Sequence, residues 1–307
     1  MKLHQLRDVI AVADLGGLRA AARHLNIAQS AITKSVRQLE KELDVPLFER
    51  HKRGAVLTPM GALFVQRARA AAGELERAQE EISQHRGAGV GRVTVSLSTV
   101  PHMALLPSVI APFSLRYPEI KLTVLESLGF HSVEAQMRTG AIDAYIGVSP
   151  ESKISTEYQV ESLFTNRRYV VGRSGNLHSG AGSLHDLVDA HWIVSSTATV
   201  NSSFAALFKQ YHAKLPARIT FAGSIHSQLI FLLNTDMLMV APRQVLEFAP
   251  YVGRLVRIPI KEELDAPAMV MITRTALPLT PAAEHFCDLI RRAAAQQGSA
   301  ESTRNAG

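Results

Sequence analysis

The chain has 307 residues, 47% apolar and 20% charged, with 33 Lys and Arg against 27 Asp and Glu and a formal net charge of +6. That length favours two or three compact units, and that composition a soluble core, which excludes a disordered or fibrous chain. No run of about 18 apolar residues is present to span a membrane, and the single cysteine, Cys287, can form neither an internal disulfide nor a zinc site, which fits a reducing cytoplasm.

The N-terminus carries Arg7 and Asp8 inside its apolar run and lacks a small-residue cleavage site, so it reads as an amphipathic helix and not a signal peptide. Leu3, Leu6, Val9, Ile10 and Ala13 predict a helix over 3–15, ended by Gly16 and Gly17. A short helix through Leu18, Ala21, Ala22 and Leu25 stops at Asn26, a residue tolerant of left-handed geometry. Gln29 to Leu43 forms a third, with Ile32, Val36, Leu39 and Leu43 on one face, and Pro46 prevents its extension. Leu47-Phe48, then His51-Lys52-Arg53-Gly54, then Val56-Leu57 reads as a short hairpin with a basic tip.

Two short helices around a tight turn, followed by a basic hairpin, are suited to placing the second helix in a DNA major groove. Ten bases and six acids lie within 1–61, so most of the net positive charge sits on a fifth of the chain. On the third helix, Gln29 suits adenine N6 and N7, while Lys34 and Arg37 suit guanine or phosphate. Ser30 and Thr33 suit phosphate oxygens or either base. Arg50, Lys52 and Arg53 are placed to straddle a backbone or enter a narrow minor groove.

Thr58-Pro59 is a helix start, with a capping hydroxyl and then proline at the first helical position. The helix runs to about His85. Along it Phe64, Ala68, Ala71, Leu75, Ala78 and Ile82 are spaced 4, 3, 4, 3, 4, the seam of a helix packing on a second copy of itself. That predicts a dimer. Gly87 to Gly91 is a flexible connector, since it follows a helix and precedes a strand, the reverse of a dinucleotide fingerprint.

From Arg92 strands and helices alternate, as in parallel α/β architecture. Strands are predicted at RVTVSLS, IKLTVLES and AYIGV, with helices through 103–116 and 130–139. A second series holds RRYVVGR, HWIVSS, RITFAG, MLMVAP and LVRIPI, with helices through 203–212 and 226–234. AMVMITR and a helix through 281–295 close the fold, and the polar residues 298–307 are expected to be disordered.

The chain resembles the LysR-type transcriptional regulators across nearly its whole length. The matching residues are Leu18-Arg19-Ala20-Ala21-Ala22, Leu25, Gln29-Ser30-Ala31-Ile32, Leu39-Glu40, Leu43, Pro46-Leu47-Phe48-Glu49-Arg50 and Leu57-Thr58-Pro59-Met60-Gly61. The resemblance implies a winged helix-turn-helix over 1–58 and a dimerising linker helix and hinge over 59–91. It also implies an effector domain over 92–297 like a type-2 periplasmic binding protein, with lobe I at 92–162 and 268–297 and lobe II at 163–267. Implied partners are double-stranded DNA, a small-molecule effector and further copies of the chain up to a tetramer, with RNA polymerase as a further one. Where the family usually has serine, this chain has Gly17 and Ala28 as the caps of its second and third helices. Alanine is a poor cap, by roughly 0.5–2 kcal/mol.

The resemblance places the effector between the lobes, at strand ends and helix starts. Ser98 and Thr99 end the first strand, Ser127 the second, and Ser149 follows the third. Ser195, Ser196 and Thr197 follow HWIV, and Asn201 precedes the next helix. Hydroxyls and free backbone N–H groups at helix starts make an anion cradle. Leu128, Phe130 and Phe221 add an apolar wall, which suits an aromatic or otherwise amphipathic acid. The twelve histidines include no HExxH, and for His102, His131 and His226 near helix starts surface or capping roles are expected ahead of ligand contact. With no nucleophile elbow or phosphate loop either, no cofactor, metal or enzyme activity is expected. An architectural DNA binder would not need some two hundred residues of α/β domain, and a solute-binding transport component would not explain the first sixty.

Overall fold

A computed structural model describes residues 1–51, 54–87, 89–195 and 198–304. Lys52, Arg53, Ser196 and Thr197 therefore lie outside the described residues, as do the side chains of Arg50 and Asn201.

The first three helices are α1 (Leu3–Leu15), α2 (Leu18–Leu25) and α3 (Gln29–Leu43), followed by strands β1 (Phe48–His51) and β2 (Gly54–Leu57). Gly16, Asn26 and Asp44 take left-handed backbone at the three helix ends, where a helix reverses most cheaply. Val9, Val12, Ala21, Ile32, Val36, Leu39 and Leu47 form the core beneath them. The hairpin docks on the α1–α2 turn, with Ala55 N donating to Gly16 O at 3.0 Å. A Cβ on Gly54 would stand 2.3 Å from that same carbonyl oxygen, which requires glycine there.

Helix α4 (Pro59–His85) begins at Thr58, whose Oγ1 accepts from Gly61 N at 2.9 Å and donates to Pro46 O at 2.8 Å. A Cβ on Gly61 would overlap Leu47 O at 1.9 Å. This is the physical reason for glycine after Thr-Pro-Met. Val65 and Ala68 are buried against the first core, with Phe64 half-buried beside it. The proposed pairing seam therefore loses its first two positions to intrachain packing. Ala71, Leu75, Ala78 and Ile82 remain exposed, Leu75 by 45% and Ile82 by 61%.

Lobe I holds strands β3 (Gly91–Leu97), β4 (Ile120–Glu126), β5 (Ala144–Val148) and β6 (Tyr158–Phe164), with helices α5 (Thr99–Ala104), α6 (Leu106–Arg116) and α7 (Glu134–Arg138). Lobe II holds β7 (Arg167–Arg173), β8 (His191–Ser195), α8 (Ala198–Gln210), β9 (Arg218–Ala222), α9 (Ile225–Asn234), β10 (Met239–Pro242), α10 (Arg243–Glu247), β11 (Leu255–Arg257) and β12 (Leu264–Asp265). The chain then returns to lobe I as β13 (Met269–Arg274) and α11 (Pro281–Arg304).

The lobe I sheet runs β4-β3-β5-β13-β6, with β3 parallel to β4 and β5, and β13 antiparallel to β5 and β6. It is therefore mixed, because the returning strand enters from the other lobe. Phe113, Phe286 and Ile290 of α6 and α11 cover one face, while Phe130, Met137 and Tyr145 pack on the other. In lobe II, β7 pairs antiparallel with β10, β11 and β12, and backbone bonds between Leu238 and both His191 and Ile193 join the parallel pair β8–β9 to this sheet. Trp192, Phe204 and Phe208 fill one side and Ile193, Leu229 and Leu232 the other.

Three expectations are corrected. The helix expected over 103–116 is two helices and starts at Thr99. The helix expected over 203–212 starts at Ala198, so Asn201 lies inside its first turn and not ahead of it. The last helix, expected over 281–295, spans Pro281–Arg304.

Candidate nucleic-acid interface and ligand cleft

Helix α3 buries Ile32, Ser35, Val36 and Leu39 and turns its opposite face to solvent. Gln29, Ser30, Lys34 and Arg37 are exposed on that face. Thr33 is half-buried, with Oγ1 donating to Gln29 O at 2.8 Å, which leaves its oxygen as an acceptor. All five line one shallow concave surface together with Gln38 and Lys41. Those last two were missed in the sequence, although their spacing of four and seven residues from Lys34 places them on the same face. A second shallow surface holds Arg19 and Arg23 of α2 and its C-terminal cap Asn26 next to Ala28 and Gln29. These arginines extend the positive charge onto the helix that crosses a DNA backbone in this motif.

Ala28 supplies no capping side chain to α3, and neither does Asn26, whose left-handed backbone closes α2. Glu40 fixes the other end. Its Oε1 accepts from Leu47 N at 2.8 Å and Phe48 N at 3.2 Å. The reading helix is thereby tied to the start of the hairpin, so helix and wing move as one body.

In lobe I the strand ends carry the expected hydroxyls. Ser98 stands at the cap position of α5 but forms no capping bond, and its Oγ, in a residue 5% exposed, has no hydrogen-bond partner. A buried hydroxyl left without a partner at a helix start is a place where a ligand acceptor or donor belongs. A Cβ on Gly147 would fall 2.9 Å from that Oγ and 2.4 Å from Tyr145 Oη, so glycine keeps the space beside Ser98 open. Thr99 is half-buried. Ser127 is buried, and its Oγ accepts from Ser96 at 2.8 Å. Tyr145 Oη donates to Val148 O at 3.0 Å, and burial pushes the phenol well above its ordinary range, so it stays a neutral donor. Ser149 N donates to Ala268 O, tying the end of β5 to the returning chain. His102 Nδ1 lies 3.2 Å from Ser98 O, and His131 Nε2 2.9 Å from Ser152 Oγ.

Leu128 and Phe221 are exposed, whereas Phe130 is 2% exposed and packs edge-on against Tyr145 and Tyr158. Phe130 is core and not a cleft wall. The loop before α7 has to close the lower face of the sheet, and three rings do so.

On lobe II, Ser195 borders a small cavity of about 90 Å³ with Ser203, Gln228 and Arg168. Arg168 was not singled out in the sequence, where it read as part of a strand. Its Nε donates to Asp265 O at 2.6 Å, and burial lowers its pKa. Met103 of α5 packs into the lobe II core, and α5 contacts α10, so the helix that starts at Ser98 bridges the two lobes. Among the described residues no cluster of three or more His, Cys, Asp and Glu is arranged to hold a metal, and no helix is long and apolar enough to cross a membrane.

Residues 3–62 match the model for the bacterial regulatory helix-turn-helix protein of the lysR family, and residues 86–295 match the LysR substrate binding domain. The chain belongs to the LysR family of transcriptional regulators. It is 25% identical to the HTH-type transcriptional regulator GbpR of Azospirillum brasilense over 297 residues, covering 95% of this chain and 86% of that one. TfdS of Cupriavidus pinatubonensis is 32% identical over 177 residues, 57% of this chain and 58% of that one. Among solved structures, ArgP from Mycobacterium tuberculosis aligns with a TM-score of 0.72 at 18% identity over 94% of this chain and 96% of that one. Full-length CbnR in complex with its target DNA aligns with a TM-score of 0.66 at 21% identity over 95% and 100%. This LysR regulator thus joins a DNA-binding head to a two-lobed α/β effector domain, and its relatives are transcriptional regulators, not enzymes.

Proposed function

We propose that this regulator reads a dyad-related promoter site with two copies of α3, under control of a small anionic ligand held between the lobes in the cytoplasm. Gln29, Ser30, Thr33, Lys34 and Arg37 contact base edges and phosphates, with Arg50, Lys52 and Arg53 of the wing on the flanking backbone. Pairing of two heads runs through Ala71, Leu75, Ala78 and Ile82 of α4, and the tetramer of the family follows from further contacts between effector domains. The ligand is received by Ser98 and Thr99 with Ser127 and Ser149 on lobe I, and by Ser195, Ser196, Thr197 and Asn201 on lobe II, with Leu128 and Phe221 at its edge.

The observation that carries the cleft is the partnerless buried Oγ of Ser98 at the start of the helix that touches both lobes. An anion accepting from that hydroxyl and from the first N–H groups of α5 draws lobe II toward lobe I and changes the separation of the DNA-binding heads. A coupling of about 1–3 kcal/mol is enough for such control. A thermal-shift screen of small carboxylates and sulfonates on the full-length protein is expected to find a stabilising ligand. Replacing Ser98 by Ala and Thr99 by Val should remove that shift and the ligand's effect on promoter binding, while DNA affinity without ligand stays the same. An undiminished shift in the double variant sinks this site.

A further inference from the structure

A cavity of about 740 Å³ lies away from the cleft around Ser98. It lies where the chain crosses between the lobes, and its lining runs along both crossings, residues 163–169 outward and Arg257 with 260–266 on the return. That volume falls within the range of small-molecule sites. Four cations line it, Arg167 and Arg168 from β7, Arg257 from the end of β11, and Lys261 just beyond. None of the four forms an ion pair with a carboxylate among the described residues.

No carboxylate of the same segment forms an ion pair with them. Glu262 is buried and turned away, its oxygens accepting from Ser183 Oγ at 2.7 Å and Leu184 N at 3.1 Å. Asp265 bonds Arg168 through its backbone carbonyl, while its carboxylate, exposed at the edge with that of Glu263, acts on the same guanidinium without forming an ion pair. Two of the cations are held in place. The guanidinium of Arg257 lies 4.4 Å from the centre of the Tyr169 ring, a stacking that orients it before any ligand arrives. Arg168 is fixed by its bond to Asp265 O and is only partly accessible. A half-buried guanidinium without a carboxylate partner carries a desolvation cost that an incoming anion relieves.

We propose that this hinge cavity is a second ligand site, which takes a compact polycarboxylate held by Arg168 and Arg257 with Arg167 and Lys261 at its rim. Planar carboxylates match the two fixed guanidinium forks better than they match ammonium groups. Because the ligand contacts both crossings, it favours whichever lobe angle brings β7 and β11 around it. It thereby shifts the same open–closed balance that a ligand at Ser98 shifts. The proposal does not depend on where the regulator's effector binds.

The test is calorimetric titration of the full-length protein with citrate, at ionic strength held constant with sodium chloride. Saturable binding is expected at one citrate per chain, at least tenfold weaker in the Arg257→Ala, Lys261→Ala double variant and unchanged in Ser98→Ala. Arg257 and Lys261 are both exposed, so the double variant is expected to stay folded, losing only the stacking of Arg257 on Tyr169. Inorganic phosphate titrated in parallel should bind more weakly than citrate. The proposal is overturned by an absence of saturable heat, by citrate binding that survives the double variant, by its loss in Ser98→Ala, or by tighter binding of phosphate.

Discussion

Ala28 occupies a position where one oxygen atom would matter. Its backbone, at φ −64° and ψ 139°, already has the extended geometry of a helix cap, yet its methyl group offers nothing to the free N–H groups of α3. A serine there would accept one of them without any change of backbone. Ala28→Ser is therefore expected to stabilise the DNA-binding domain by roughly 0.5–2 kcal/mol, read as a rise in melting temperature; no rise would show that the helix start is held by other means. Ala28, Gln29 and Arg37 were legible in the sequence because helix periodicity alone assigns them to cap and exposed face. Phe130 was not. A phenylalanine beside a predicted helix start reads the same whether it faces ligand or core, and only the rings of Tyr145 and Tyr158 decide it. Arg168 shows the converse, since its strand neighbours hid a side chain that reaches toward both the lobe II cavity and the hinge.

Among the elements, the long helix α4 has two partners within its own chain and one exposed face. Arg77 donates to Asp143 at 2.7 Å, both side chains being 7% exposed, and also bonds Gly140 O. Asp143 in turn accepts from Thr94 N of β3 at 2.7 Å. Burial opposes both charges, pushing the Asp143 carboxyl up and the Arg77 guanidinium down, while each one's charge pulls the other back. Glu74 pairs with Arg274 of β13 at 2.8 Å, and Gln84 Oε1 accepts from Ala282 N at 3.0 Å. The linker helix is thus clamped to the sheet whose strand β3 leads to Ser98. Asp143→Ala leaves a buried arginine without its partner and should cost about 3–5 kcal/mol in urea unfolding. Replacing both partners by apolar residues of similar volume should recover most of that loss. A single variant as stable as the parent would mean the pair is solvated. Sequence could not show this clamp, because 66 residues separate the partners and each reads alone as a surface charge. Strands were easier to place than helix ends, since Pro101 and Pro107 disguised two short helices as a loop and one helix.

At the scale of the whole molecule, division of labour was legible from charge and periodicity. The geometry by which the lobes meet was not, because it depends on a chain that leaves lobe I at Phe164 and returns at Met269. The proposed pairing of two copies rests on the remaining apolar row on α4, whose Leu75 and Ile82 are 45% and 61% exposed while the helix's other faces are already engaged. Paired heads imply paired half-sites, separated by about one helical turn or a multiple of it. The most direct measurement is selection of random-sequence duplex DNA by the full-length protein, followed by sequencing of the bound pool. An enriched inverted repeat, lost in Arg37→Ala, is the predicted result. Enrichment of a single unpaired half-site, or of no motif at all, would contradict the reading of a dyad by two copies of α3.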